Sequence, residues 1–165
     1  AIRIVLSATM TPTWGIYQGS VQFEFAPLKP GGEEYLNSEK YEYRPRNFNA
    51  EPNRNVLLAR VNQIRREHPA LQQLRRTVVL ETTHDEIFAF AKNNGEDTVI
   101  VVCSLNPHHS VSGEVIVDLA QLGLPVDMYG VHDELTGGTY VWGPRNFVGL
   151  TPGNPAHIFT VHARQ

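Results

Sequence analysis

Hydrophobic and polar positions follow two different patterns along the 165-residue chain, and the change comes near residue 77. Before it, two segments with hydrophobic residues at helical spacing flank a long stretch without sustained periodicity. After it, short hydrophobic runs follow one another between turn-forming residues, which is typical of β-strands. The chain is therefore interpreted as two parts, residues 1–76 and residues 77–165.

The first part predicts two helices and one short strand. Hydrophobic residues recur at helical spacing over residues 1–10 and over residues 53–68, and residues 70–74 are compatible with one more turn. Residues 13–17 are predicted to form a short strand that is entered through a proline. Residues 18–52 show neither period and predict a long irregular loop with several tyrosines and prolines.

The second part predicts eight short strands. They are Val78–Thr82, Ile87–Lys92, Thr98–Ser104, Glu114–Asp118, Tyr129–His132, Thr139–Trp142, Asn146–Leu150 and Ala156–His162. Many short strands bounded by turn residues indicate an antiparallel sandwich or barrel. Trp142 and Phe147 alternate as core residues do, so both are expected inside the sandwich.

The first part is not expected to fold alone. One short strand between two helices has no sheet to join, and its edges would be unpaired. A loop of about 35 residues is also uncommon in a compact domain unless it has a function or is disordered. Both features are explained if residues 1–76 are the last βα unit of a (β/α)₈ barrel whose other strands lie upstream. The long loop would then lie on the barrel face that binds substrates. The start at Ala1, without an initiator Met, suggests a fragment of a longer chain, although removal of an initiator Met before Ala would look the same.

Charge and cysteine content exclude some classes of partner. The chain has 14 basic and 17 acidic residues, so neither nucleic acid nor an anionic membrane is expected to bind it. Its single cysteine, Cys103, lies in an apolar run and is expected to be buried and inert. A reducing compartment, the cytoplasm, follows as the expected location. One basic cluster is predicted to mark the solvated face of the second helix: Arg54, Arg60, Arg65, Arg66, Arg75 and Arg76.

The most distinctive sequence motif in the chain is Glu33-Glu34-Tyr35, followed by Ser38-Glu39-Lys40-Tyr41. Four further segments accompany it: residues 61–72, 104–109, 131–137 and 140–143. Together they resemble the bacterial α-1,4-glucan:maltose-1-phosphate maltosyltransferases, which belong to the α-amylase superfamily. The resemblance extends over about residues 1–162. It implies that residues 1–76 carry strand 8, the substrate loop and helix 8 of the barrel, and that residues 77–165 form the β-sandwich that follows it.

The resemblance also implies an activity. Enzymes of this family transfer a maltosyl unit from α-maltose 1-phosphate to an α-1,4-glucan and release phosphate. Their route retains configuration through a glycosyl-enzyme intermediate. Their three catalytic carboxylates lie on barrel strands four, five and seven, so all are expected upstream of Ala1. The chain alone is therefore expected to be inactive. No cofactor or metal is expected, and the expected partners are the N-terminal remainder of the enzyme and a second copy in a homodimer.

Two site residues are carried over from the family, Lys40 and Tyr41, which are expected to contact the maltosyl group of the donor. A lysine ammonium offers three hydrogen-bond donors to sugar hydroxyls. A tyrosine offers an apolar ring face and one hydroxyl, which suits an amphipathic sugar. Asn37 stands where many relatives are expected to have Asp, which removes a charge beside this motif.

Other polar groups have a structural interpretation that is favoured over catalysis. Glu33, Glu34 and Glu39 are expected to be solvated or salt-bridged, and Asp133-Glu134 is expected to form a turn. Adjacent histidines on an extended segment point to opposite sides, so His108-His109 predicts no metal site. Six aromatic residues of the first part are expected either to stack on sugar or to anchor the loop: Trp14, Tyr17, Tyr35, Tyr41, Tyr43 and Phe48.

Two other functions compete with maltosyl transfer. Residues 77–165 alone would suit a non-catalytic module that binds α-glucan. The chain would also suit the tail of another α-amylase-superfamily enzyme, such as a trehalose synthase or a branching enzyme, because the helix around residues 65–71 resembles text in many of these relatives.

Overall fold

A computed structural model of the chain describes residues 1–17, 19–23, 27–32, 34, 43, 45–124 and 128–162. Three α-helices lie in these residues: α1 (Ile2–Met10), α2 (Ser20–Phe23) and α3 (Asn55–Glu67). A 3₁₀ turn, Pro69–Gln72, follows α3. The strands are β1 (Thr77–Thr82), β2 (Ile87–Asn93), β3 (Thr98–Ser104), β4 (Val111–Ile116), β5 (Tyr129–Asp133), β6 (Thr139–Trp142), β7 (Arg145–Leu150) and β8 (Ala156–His162). No helix among the described residues has the length and hydrophobicity that crossing a membrane requires.

Most predicted elements form close to their predicted bounds. Both long helices and all eight strands are present, although β4 begins at Val111 rather than at Glu114. The predicted strand over residues 13–17 is wrong for this chain, because these residues have no regular secondary structure. No strand among the described residues lies beside them, and a strand forms only when a neighbour satisfies its backbone groups.

The strands form an antiparallel arrangement in the order β6-β5-β8-β3-β2-β1-β4-β7. Strand β1 belongs to two layers: Thr77 to Leu80 pair with β2, whereas Glu81 and Thr82 pair with β4. Strands β4 and β7 pair with each other and form the second layer with the end of β1. The two layers pack face to face, so that one face of each layer is buried against the other layer.

The first core lies between these two layers. It contains Ile100 and Val102 of β3 together with Val115 of β4 and Val148 of β7. Trp142 also lies in this core, as predicted, with its ring 4.5 Å from the Phe159 ring.

The prediction that Phe147 lies in the core is wrong, because its side chain is 74% exposed. Strand β7 alternates strictly between exposed and buried positions. Asn146, Val148 and Leu150 take the buried positions, so the pleat turns Phe147 to the outer face of an edge strand.

The second core lies on the opposite face of the larger layer, where the helices cover it. Val61 and Ile64 of α3 pack there with Phe90 of β2, Val101 of β3 and Ile158 of β8. All seven residues of β3 are buried, because helices cover one face of this strand and the second layer covers the other. The buried Cys103 follows from the same double cover, and burial raises the pKa of its thiol to about 12.

Residues 1–76 therefore share a core with the sheet. The buried faces of α1, through Val5 and Ala8, and of α3 are members of the same cluster as β3 and β8. The change of pattern near residue 77 marks a change in secondary structure, while the hydrophobic contacts cross it.

Candidate functional site

The predicted donor-binding residues Lys40 and Tyr41 lie outside the residues that the structure describes. The described parts of their loop are residues 19–23, 27–32, 34, 43 and 45–52. These parts, together with the polar groups around α3, define the surroundings from which the loop extends.

The two ends of the loop meet at the start of α3. The Arg54 backbone N–H donates a 2.8 Å hydrogen bond to the Gln22 carbonyl oxygen. The Asn55 side-chain amide donates a 2.7 Å bond to the Phe48 carbonyl oxygen. The Phe23 and Phe48 rings also lie 6.3 Å apart, so a hydrophobic contact supports both hydrogen bonds.

A tight turn near the middle of the loop lines a shallow cavity. The Leu28 N–H donates to the Glu34 carbonyl at 2.7 Å, and the Gly32 N–H donates to the Lys29 carbonyl at 2.9 Å. These four residues line a cavity of about 330 Å³. Its lysine and glutamate are groups that can bind hydroxyls, and its volume is at the lower end of the range for small-ligand pockets.

The aromatic residues of this region divide into anchors and exposed residues. Trp14 packs against the second core, and its indole N–H donates a 3.2 Å bond to the Asn62 side-chain oxygen. Phe48 contacts the Phe23 ring and is nevertheless 37% exposed. Tyr17 is 49% exposed and Tyr43 is 86% exposed, so both are available to a ligand. Tyr35, like Tyr41, lies outside the described residues.

Arg65 of α3 binds the end of α1. Its guanidinium donates to the carbonyl oxygens of Thr11 at 2.9 Å and Pro12 at 2.6 Å. It also donates to the Ala8 carbonyl oxygen. The last carbonyls of a helix lack intrahelical partners and attract cations. Arg65 therefore satisfies carbonyl oxygens at the C-terminal end of α1. The expectation that the arginines are solvated is therefore wrong for Arg65, whose pKa is lowered by burial.

Lys92 of β2 also binds the C-terminal end of α1, from the side of the sheet. Its side chain is fully buried, and its ammonium donates to the carbonyl oxygens of Met10, at 3.2 Å, and Gln73. Burial lowers the pKa of Lys92, and the nearby Arg65 charge lowers it further. Two cationic side chains thus bind carbonyl oxygens at the C-terminal end of α1, Arg65 from α3 and Lys92 from the sheet.

Asp133, at the end of β5, is a fully buried carboxylate with four hydrogen-bond donors. The donors are His157 Nδ1 at 2.8 Å, the Thr136 hydroxyl, and the backbone N–H groups of Leu135 and Ile158 at 3.2 Å each. Burial alone would raise the pKa of Asp133, but the bonds from His157 and Thr136 outweigh it and lower the pKa. The turn role predicted for Asp133-Glu134 thus agrees with the structure, with a buried ion pair in addition.

Glu134, the next residue, joins the sheet to α3. The Arg60 guanidinium donates to its side chain and to its backbone carbonyl, both at 2.7 Å. The Thr160 hydroxyl donates to its other carboxylate oxygen at 2.9 Å. Arg60 is thus a second arginine of the predicted solvated cluster that binds another part of the protein: Arg65 binds the end of α1, and Arg60 binds the residue that follows β5.

His68, directly after α3, extends this network. Its Nδ1 lies 3.1 Å from Asp97, whose other oxygen accepts the Ala70 N–H at 2.9 Å, and its Nε2 lies 3.8 Å from Glu134. The hydrogen bond with Asp97 is the main reason that the pKa of His68 is raised. Burial acts to raise the pKa of Asp97, but the bonds from His68 and Ala70 outweigh it and lower that pKa.

We expect this pair to make stability pH-dependent. A raised folded pKa for His68 contributes stability below its ordinary value of 6.5, and that contribution is lost as the pH rises through the folded pKa. A lowered pKa for Asp97 contributes stability above 3.8 that is lost in acid. The free energy of unfolding should therefore fall between about pH 6 and about pH 8. Urea unfolding at both pH values measures it.

The matched variant for this test is Asp97→Asn, which removes the charge that raises the pKa of His68. The fall in stability should become smaller and should not vanish, because the pKa of His157 is raised as well: burial lowers it, but Asp133 outweighs burial. An unchanged pH profile in Asp97→Asn would contradict the role given to the pair.

The other groups singled out from the sequence form no metal cluster among the described residues. His109 Nε2 lies 2.9 Å from Glu86 at the surface. Glu34 is described within the loop turn, whereas Glu33 and Glu39 lie outside the described residues.

The family model described as "GLGE, C-terminal" matches residues 79–161, about half of the chain. The chain belongs to this family. Two curated relatives are similar to almost the whole chain. α-1,4-Glucan:maltose-1-phosphate maltosyltransferase 2 of Streptomyces coelicolor is 47% identical over 97% of the chain. The α-1,4-glucan:maltose-1-phosphate maltosyltransferase of Corynebacterium glutamicum is 45% identical over 98% of the chain.

The chain spans about a quarter of the length of these curated relatives. Its matches lie in their C-terminal quarter. Among solved structures, the maltogenic α-amylase AmyB of Thermotoga neapolitana has a TM-score of 0.63 at 9% sequence identity. The match covers 98% of this chain and 36% of AmyB, and it shows a shared fold that includes the helices as well as the sheet.

Sequence reasoning missed the charged contacts that join the helices to the sheet. The signal that was available is Lys92, which directly follows four apolar residues at positions 88–91 in a largely buried strand. A lysine at such a position must find acceptors when the strand is covered on both faces. Its acceptors lie 82 and 19 residues away, so the sequence alone did not identify them.

Proposed function

We propose that this chain is the C-terminal part of an enzyme that transfers maltosyl units from α-maltose 1-phosphate to α-1,4-glucan and releases phosphate. The observation that carries the proposal is identity of 45% and 47% to proteins of that name over nearly the whole chain. Nearly all of the first 78 residues, which lie outside the matched family model, are covered by these alignments, so the likeness includes the loop over residues 18–52. The competing functions are not favoured, since both relatives are named maltosyltransferases.

In this proposal, residues 1–76 close a (β/α)₈ barrel and residues 77–165 form the β-sandwich beyond it. Residues 13–17 would pair as strand 8 with barrel strands from the rest of the enzyme. Exposed apolar side chains on the first part, including Met10, Ile16 and Val56, support this, because packing against the barrel would cover them. The match to an α-amylase across 98% of the chain supports the same arrangement.

The chain's own contribution to the reaction would be donor binding. Lys40 would donate hydrogen bonds to hydroxyls of the maltosyl group, and Tyr41 would offer its ring face and hydroxyl. The catalytic carboxylates of the retaining route would come from the preceding part of the enzyme, so the chain alone would have no transferase activity. The enzyme would be a cytoplasmic homodimer.

Phosphate release by the full-length enzyme tests the proposed function. Purified enzyme with α-maltose 1-phosphate and maltohexaose should release phosphate and lengthen the acceptor by two glucose units at a time. Acceptor lengthening without release of phosphate, or no reaction with this donor, would reject the proposal. The 165-residue chain alone serves as the inactive control.

Lys40→Ala in the full-length enzyme should lower kcat/KM for the donor by about 10- to 100-fold, because a hydrogen bond from a charged group contributes roughly 1.5–3 kcal/mol. The melting temperature should change little, since a loop side chain at a ligand site adds little to stability. Steady-state kinetics with varied donor measure the effect. Arg66→Ala, which removes a charge from an exposed position on α3, should leave the kinetics unchanged. Wild-type kinetics in Lys40→Ala would remove this residue from the donor site.

A further inference from the structure

His157 on β8 contacts both layers of the sandwich. Its Nδ1 lies 2.8 Å from the carboxylate of Asp133, at the end of β5 in the larger layer. Its Nε2 lies 3.2 Å from the carbonyl oxygen of Gly149 on β7, in the second layer. Among the described strands, β7 is last in the order and has β4 as its one neighbour. The contact with His157 therefore gives this edge strand a second attachment.

Both atoms that face the His157 ring are hydrogen-bond acceptors. An ionised carboxylate and a backbone carbonyl have no proton to donate. A neutral imidazole carries one N–H and one lone pair, so it can satisfy only one of them, whereas an imidazolium donates from both nitrogens. Asp133 accepts four hydrogen bonds and its pKa is lowered, so it is ionised near neutral pH. The geometry therefore selects the doubly protonated ring.

The surroundings of the ring agree with this state. The side chain of His157 is 12% exposed, and its ring stacks on the Phe159 ring at 5.2 Å. Burial lowers the pKa of His157, but the hydrogen bond and the charge of Asp133, together with the Gly149 carbonyl, outweigh burial and raise the pKa. The neighbour of His157 on β3 is Val102, which has no charge. Among the described residues, Asp133 is thus the charged group that controls the protonation of the ring.

We propose that His157 is a pH-dependent link between the two layers of the sandwich: the doubly protonated ring binds β7 to β8, and loss of the Nε2 proton to solvent releases the end of β7. The Nδ1 proton stays on the ring because its acceptor is charged, and hydrogen bonds to charged groups are stronger than neutral ones. The Nε2 lone pair then faces the Gly149 carbonyl oxygen, and no hydrogen bond is possible between two acceptors. The link is thus made below the pH at which His157 loses its proton and is broken above it.

The wild-type chain tests this link without a substitution. Proton–nitrogen correlation spectra of the histidine rings give the protonation of each ring nitrogen across a pH series, and amide exchange in the same samples gives the protection of each strand. At about pH 6.5, where an ordinary histidine is half deprotonated, His157 should hold both protons.

The release of β7 should follow the titration of His157. As Nε2 loses its proton, the protection of the β7 amides relative to the β3 amides should fall about tenfold, the lower end for a hydrogen bond from a charged group. The comparison with β3, which is buried along its whole length, separates local opening of β7 from a change in global stability.

Asp133→Asn is the matched variant, because it keeps the shape of the side chain and removes the charge that favours the second proton on the ring. In this variant His157 should lose its proton at a lower pH than in the wild type, and the fall in β7 protection should move with it. Asp85→Asn makes the same change at an exposed position and should leave both unchanged.

Three results would overturn the link. The first is a His157 ring that already lacks one proton in most molecules at about pH 6.5. The second is an unchanged ratio of β7 to β3 protection while Nε2 loses its proton, because the contact with Gly149 would then hold nothing. The third is a His157 that loses its proton in Asp133→Asn at the wild-type pH. If Asp133→Asn fails to fold, the first two measurements on the wild type decide the question.

Discussion

Asp133→Ala is expected to lower the free energy of unfolding by about 3–5 kcal/mol, the cost of removing one partner of a buried ion pair. The substitution leaves His157 without its carboxylate, and the partly buried N–H of Leu135 and the buried N–H of Ile158 lose their acceptor. Unsatisfied buried donors keep their desolvation cost without compensation. Urea unfolding followed by tryptophan fluorescence measures the loss, because Trp142 lies in the first core.

Two further variants show which interactions of Asp133 account for the loss of stability. Asp133→Asn retains one oxygen for the backbone N–H groups and should destabilise less than Asp133→Ala. Asp85→Ala removes an exposed carboxylate and should stay within about 0.5 kcal/mol of the wild type, as surface substitutions usually do. An Asp133→Ala variant as stable as Asp85→Ala would contradict the structural role of the buried pair.

Ile64→Ala is expected to destabilise the chain by about 2–5 kcal/mol, the usual cost of truncating a buried isoleucine. Ile64 is 0% exposed and packs in the core that α3 shares with β3. Because the core is shared, the loss should extend to the sheet. Native-state hydrogen exchange of the β3 amides should show a fall in protection of the same size.

The control is Val56→Ala on the same helix, which is 84% exposed and should have little effect. If β3 kept its full protection in Ile64→Ala, the helices and the sandwich would unfold as separate units. The boundary near residue 77 would then separate two units of independent stability as well as two kinds of secondary structure.

Much of the fold could be predicted because its signals are local. The turn residues between hydrophobic runs gave all eight strands, and helical spacing gave α1 and α3 within about two residues, the usual uncertainty of helix ends. The start of β4 was missed because Val111 to Gly113 contains one apolar side chain only; its pairing with Leu150 to Val148 of β7 is what makes it a strand. Phe147 was misplaced because a strand pattern gives the period of two and leaves open which face is covered.

The candidate site was predictable only in part. The resemblance in the Lys40-Tyr41 motif supplied the donor-binding hypothesis, which the proposed kinetic tests address. The anchor Trp14 could not be separated from the exposed Tyr17, Tyr43 and Phe48 by sequence, because all four are aromatic residues of one irregular segment. Contact with α3 and with the second core distinguishes Trp14 from the other three.

The sequence by itself determined where strands and helices form, because side-chain periodicity and turn chemistry act between near neighbours in the chain. Only the tertiary structure decided which charges are buried and what they bind. Arg60 and Glu134 are 74 residues apart, and Arg65 lies 57 residues from the Ala8 carbonyl that it binds. Such partners are brought together by the packing of α1 and α3 on the sheet, and a buried charge depends on the partner that this packing supplies.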